Sequence, residues 1–283
     1  SLALERAEND DAAAQTLIGT IYANGLGVGQ NLALASSWYA IASQNGDIAA
    51  TFELAQLYQN GTGVPKNRQR AAELFNIAAE AGHREAMYNM ALLHVEGIYA
   101  EPNLALGASL MEKAAEAGLA EANYDYGIML MEGVGVPPNQ TLGANYIGVA
   151  AQFGLVEAQV EYATFLYLGK GVEQDRAEAI LWYMRAAEAA NPVAQNRLAK
   201  LYAVGEGVPL DLQTAAMWRS LARRQGLNDP GLETLLISIA PEDIKRAEER
   251  AFYWPGETPD ERGPGASVLQ QSPAVQTRLI NRP

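Results

Sequence analysis

The chain has 283 residues, and 49% of them are hydrophobic, enough to support a substantial core and to exclude global disorder. Its 20 Lys and Arg stand against 33 Asp and Glu, and the formal net charge of −13 disfavours nucleic-acid phosphates and anionic membrane surfaces as partners. The absence of cysteine removes disulfides, thiol catalysis and thiolate metal sites, and two histidines, His83 and His94, are too few for a three-histidine metal centre.

No apolar run approaches the roughly 18 residues that a bilayer span requires. The chain begins at Ser1 rather than Met. A periplasmic or secreted location is the expectation, with a cytoplasmic one as the alternative.

A Gly-x-Gly pair occurs first at Gly25 and Gly27 and returns at Gly61/Gly63, Gly133/Gly135, Gly169/Gly171 and Gly205/Gly207. Gly97 keeps the register, but Tyr99 replaces its second glycine. Each step is 36 residues, so the pairs are punctuation in a repeat array and not a phosphate cradle. A phosphate loop would also be followed by Lys and Ser or Thr, and Gly169-Lys170-Gly171-Val172 fails that pattern.

Within each unit the pattern predicts two helices. In "EAMYNMALLHVE", Glu85 to Glu96, the residues Ala86, Met90, Ala91, Leu93 and His94 fall on one buried stripe. The glycine ends this helix, because glycine enters the left-handed region without a steric penalty. After a short loop, Asn31, Asn67, Asn103, Asn139, Asp175 or Asp211 caps the second helix with its side-chain oxygen. That helix, such as Asp175 to Glu188, is expected to bury Ala179, Trp182, Tyr183 and Ala186.

The period breaks at Asp229. Residues 229–254 read as two further helices that close the last repeat, the second starting near Pro241 with acids in its first turn. Residues 255–283 carry five prolines and little apolar content, and are expected to be a disordered tail. The expected organisation is therefore 1–228 repeats, 229–254 capping helices and 255–283 tail.

No catalytic constellation emerges. His94 shares a register with Tyr22, Tyr58 and Tyr202 and reads as a packed core histidine. His83 reads as a solvated loop residue. No catalytic residue, metal ligand or cofactor is expected.

The motifs identify a family. The run Ala194, Leu198, Ala199, Tyr202, Gly205, Gly207, Val208, together with Ala179, Trp182, Tyr183, Ala186, Ala187 and Ala190, closely resembles the Sel-one-like repeat (SLR) family, relatives of the tetratricopeptide repeat. The resemblance covers about residues 10 to 228. It implies an all-α, right-handed α-solenoid of six helix-turn-helix repeats with a capping helix pair, and a non-catalytic scaffold that contacts other proteins, in bacteria often at the cell envelope.

In solenoids of this type the first helix of each unit lines the concave face. Three registers there give a candidate partner-binding strip: Phe52, Tyr88, Tyr124 and Val160; then Gln56, Leu92 and Ile128; then Gln59, Val95, Met131 and Tyr167. Glu85, Glu121 and Glu157 edge it. The strip is expected to bind a peptide or helix with basic residues, on a chain expected to be monomeric. Two other readings stand beside it: the tyrosines brace neighbouring helices, or the aromatics stack on cell-wall glycan.

Overall fold

The computed structural model describes residues 5–7, 10–97, 101–256 and 258. Every described element is helical. The first helices of the six repeats are α1 (Ala12–Asn24), α3 (Ile48–Asn60), α5 (Arg84–Glu96), α7 (Ala120–Glu132), α9 (Val156–Leu168) and α11 (Pro192–Val204). The second helices are α2 (Leu32–Gln44), α4 (Arg68–Glu80), α6 (Leu104–Glu116), α8 (Gln140–Gln152), α10 (Arg176–Glu188) and α12 (Leu212–Arg224). Two helices follow the repeats, α13 (Pro230–Leu235) and α14 (Pro241–Tyr253). This is the repeating helix-turn-helix arrangement of an α-solenoid.

The local chemistry places the boundaries. At the fourth turn Gly133 has φ 77°, and its N–H reaches Met129 O at 2.8 Å. Gly135 has φ 70°, and a Cβ there would lie 2.2 Å from Leu104 O, so this glycine is also required by close approach to the preceding hairpin. Asn139 then accepts from Leu142 N at 3.0 Å and starts α8. The same cap recurs at Asn31, Asn67, Asn103, Asp175 and Asp211. Tyr99, where the third turn departs from the pattern, lies outside the described residues. So does the tail reading, apart from residues 255, 256 and 258.

The chain divides into two compact units, Ser1–Leu155 and Val156–Pro283. In the first unit, alanines close the gap between stacked helices. Ala35, Ala42, Ala50, Ala55, Ala71, Ala78, Ala86 and Ala91 are all fully buried. The larger core side chains are Tyr39, Phe52, Leu74 and Phe75 in α2 to α4, and Met111, Tyr126 and Ile147 further on. In the second unit, Phe165, Trp182, Tyr183, Leu198, Met217 and Trp218 are buried, each contributing about 1.5–3 kcal/mol of apolar transfer. The helix α14 lies against α12: Trp254 meets Trp218 edge-on at 4.9 Å, Gln213 donates to Asp243 at 2.6 Å and Arg224 donates to Ala251 O.

A buried polar register also ties consecutive hairpins, and the apolar periodicity gave no sign of it. Asn123 donates to Ala115 O and Gln195 donates to Ala187 O, while Gln15 donates to Ala7 O. Asn123 and Gln195 each bring a second donor to a carbonyl in the last turn of the helix before, which also accepts the Gly118 or Ala190 N–H.

His83 departs from expectation. It occupies the position before α5, but its ring stacks on Phe52 at 4.4 Å with an interplanar angle of 23°. It is half-buried packing, not a solvated loop side chain. His94 is also only half-buried.

Candidate partner-binding surfaces

In the first unit the expected strip residues do not share one environment. Phe52 is covered, packed between Phe75 at 5.7 Å and the stacked His83. Val95 and Met131 turn toward their own second helices: a Cβ at Gly107 would meet Val95, and one at Gly143 would meet Met131. Tyr88 and Leu92 pack beside the core formed by α5 to α7. Gln56, Gln59, Tyr124 and Ile128 are half-buried.

Tyr88 is also anchored. Its hydroxyl donates to Asp125 Oδ2 at 2.8 Å, one hairpin further along. Burial raises the Asp125 carboxyl above its ordinary range, with Glu121 adding to the effect and the Tyr88 hydrogen bond opposing it. Burial also raises the Tyr88 phenol, reinforced by Asp125. Glu53 is likewise raised by burial, opposed by His83. The first helices α3, α5 and α7 together carry Glu53, Glu85, Glu96, Glu121, Asp125 and Glu132 against a single Arg84, so this surface of the first unit is acidic.

The second unit offers a different geometry. A cavity of about 320 Å³ is lined from α9 by Thr164, Tyr167 and Leu168, and from α10 by Tyr183. Its other walls are Arg197, Lys200, Leu201 and Val204 of α11, Glu206 in the following turn, and Leu235 of α13. Tyr167 is therefore the strip residue that reaches a cavity. Its ring carries the Arg176 guanidinium 5.3 Å from its centroid, and Arg176 pairs with Glu206 at 3.1 Å. Val160 is half-buried on α9, and its carbonyl accepts from Thr164.

The polar wall is held in place. Thr164 Oγ1 and Tyr183 OH lie 2.8 Å apart, and Thr164 also donates to Val160 O at 2.9 Å. The proton geometry follows: with the Thr164 hydrogen committed to Val160, Tyr183 donates to Thr164. The same bridge occurs in the first unit between Thr20 and Tyr39. Beside it, Leu168 and Val204 are apolar and open, at 62% and 50% exposure. Leu235, from outside the repeat array, closes one side.

Among the described residues no three His, Asp or Glu side chains cluster as metal ligands, and no helix is long and apolar enough to cross a membrane.

Comparison with known proteins bears on the fold. The Sel1 repeat family model matches residues 12–47, 48–83, 84–119, 120–152, 156–191 and 192–227. A protective antigen of uropathogenic Escherichia coli displaying an SLR fold is similar over 96% of this chain, with 27% identity and a TM-score of 0.78. The chain spans 58% of that antigen's length. A Sel1 repeat protein from Oxalobacter formigenes is 31% identical, with a TM-score of 0.65 over 78% of this chain and 88% of that one. A comparison with curated proteins finds no match. No catalytic family is indicated by these likenesses.

Proposed function

Because the chain belongs to the Sel1 repeat family, whose members are generally protein-interaction scaffolds, we propose that it is a non-catalytic adaptor that seats a segment of a partner protein on its first helices. The observation that carries this reading is the cavity on α9, α10 and α11, where open aliphatic side chains adjoin ordered polar ones. Such a site takes an anchoring side chain in its apolar part and orients it through the polar wall. Rigid helices hold both, so little ordering entropy is lost on binding.

The strip of the first unit is assigned a secondary role, as an acidic surface that favours basic partners and steers them more than it holds them. A cell-envelope setting is part of the proposal, as the family resemblance implies.

The test is affinity capture from a bacterial envelope fraction, comparing the wild-type chain with a Leu168→Arg/Val204→Arg variant. Both positions are exposed, so the fold should be retained, as checked by circular dichroism. The expected result is a specific partner captured by the wild type and lost by the variant. Identical capture by both would remove the cavity from the function. Capture of peptidoglycan fragments in place of protein would favour the glycan reading.

A further inference from the structure

The balance of charge differs between the two units. Residues 1–155 hold 6 basic against 16 acidic residues, whereas 156–283 hold 14 against 17. One register of the first helices shows the change: Leu17, Glu53, Asn89, Asp125 and Glu161 are followed by Arg197. The helix α11 bears Arg197 and Lys200 and no acid.

The two cations are not equivalent. Lys200 is committed to Asp229 at 2.5 Å, and Arg176, nearby, is committed to Glu206. Arg197 forms no ion pair among the described residues, although it lines the cavity and lies exposed. Glu161 and Arg197 both act electrostatically on the Tyr183 hydroxyl, but they do not pair with each other. The site thus combines an apolar floor of Leu168, Leu201, Val204 and Leu235 with one uncommitted guanidinium at its rim.

We infer that the ligand of this cavity is an acidic peptide segment in which an aliphatic or aromatic side chain stands next to a carboxylate, the carboxylate being taken by Arg197. The inference rests on the scaffold reading above and specifies its partner. The physical basis is that a guanidinium presents paired N–H donors matched to a carboxylate, and a charge-assisted pair beside an apolar contact is stronger than either group alone in water. The partner's charge is the reverse of what the acidic registers of the first unit select. The overall negative charge of the protein slows the approach of such a segment, so recognition depends on the local cation.

The experiment is selection of a random twelve-residue peptide display library on the wild-type protein, with counter-selection on a Leu168→Gln/Val204→Gln variant, which removes the apolar surface without changing the charge. Retained peptides are synthesised with a fluorophore, and their affinities are measured by anisotropy for wild type, Arg197→Ala, Arg197→Glu and Arg197→Lys. The expected peptides carry Asp or Glu beside a large apolar residue. Arg197→Ala should weaken them about tenfold, Arg197→Glu should weaken them further and Arg197→Lys should restore part of the loss. Raising the salt concentration should erode the wild-type advantage. Retained peptides that are basic or uncharged, or affinities unmoved by Arg197→Ala and Arg197→Glu, would overturn the acidic-ligand inference while leaving the cavity as a binding site. Failure to retain any peptide that distinguishes the wild type from the counter-selection variant would overturn both.

Discussion

Tyr88 on α5 donates its hydroxyl to Asp125 on α7 at 2.8 Å, binding two consecutive first helices of the first unit together. A side chain committed in this way has a structural role whether or not a partner also touches it. The carboxylate it serves is half-buried and raised by desolvation, so removing the donor leaves a charge with less solvation than it had in water. Tyr88→Phe should therefore destabilise the first unit by about 1–2 kcal/mol in denaturant unfolding. Asp125→Asn keeps an acceptor and relieves the buried charge, so it should cost little. The double variant should lose less than the sum of the two. An unchanged unfolding midpoint for Tyr88→Phe would show that the tyrosine is free to serve a partner instead.

The same pair has a pH signature. The folded-state value of Asp125 is raised, so the protonated form is favoured in the folded state. Its favourable contribution is present below the ordinary carboxylate range and is lost as pH rises through the raised value. The stability of the wild type relative to Asp125→Asn should accordingly decline from about pH 4 toward neutrality. Melting temperatures of the two proteins across that interval check the sign. A difference that grows in favour of the wild type would contradict it.

Ala190 sits at φ 64° in the register that holds Gly46, Gly82, Gly118, Gly154 and Gly226. A left-handed alanine is strained by its own Cβ. At Gly46, Gly82, Gly154 and Gly226 an added Cβ would meet nothing within 4 Å, so the penalty in this register comes from backbone conformation and not from a clash. Ala190→Gly should therefore stabilise the second unit by about 0.5–1 kcal/mol, seen as a higher melting temperature. A loss of stability would mean that the methyl group makes a contact worth more than the strain.

The scaffold was legible in the sequence because its turns repeat a chemical necessity. Gly133 must be left-handed, Asn139 must cap α8, and both recur at fixed spacing. The cavity was much less legible. Tyr167 and its register could be read from periodicity, but Leu235 comes from a helix outside the repeats, and its arrival beside Val204 depends on tertiary packing. Arg197 is the one basic residue in a register that holds Leu17, Glu53, Asn89, Asp125 and Glu161, and only the structure shows that its neighbour Lys200 is already paired. The buried amides of Asn123 and Gln195 were missed because hydrophobic patterning treats polar residues as exposed. Their partners are carbonyls 8 residues earlier, in the helix before, and only the folded turn brings the amide to them.

Those amides are costly to remove. Gln195 donates to Ala187 O and accepts from Gln225 at 3.0 Å, joining the end of α10 to that of α12. Gln195→Leu retains much of the volume and removes both hydrogen bonds, leaving Ala187 O with the Ala190 N–H and the exposed Gln225 to water. It should destabilise the second unit by about 0.5–1.5 kcal/mol in denaturant unfolding. Little change would mean that water replaces the amide.

Asp229 fastens the outer wall of the cavity. It accepts from Gly231 N and Leu232 N to start α13, from Asn196 at 2.8 Å, and pairs with Lys200. Lys200 and Asn196 hold its carboxyl well below the usual range. A depressed folded-state value means stability that is present above the ordinary carboxylate pKa and lost as pH falls through the depressed one. Asp229→Asn retains the capping oxygen and removes the charge, so it isolates the ion pair from the cap. With solvent screening of Lys200 taken into account, the variant should lose about 1 kcal/mol at neutral pH. The deficit should shrink on acidification below about pH 4, as the unfolded wild-type chain takes up a proton that the folded one resists. Leu235 rides on α13, so the variant should also bind cavity-directed peptides more weakly at neutral pH, chiefly through faster dissociation. Thermal melts at pH 7 and pH 3, with dissociation rates at pH 7, separate the two effects. A deficit that persists unchanged at low pH would show that shape, and not charge, is what Asp229 contributes.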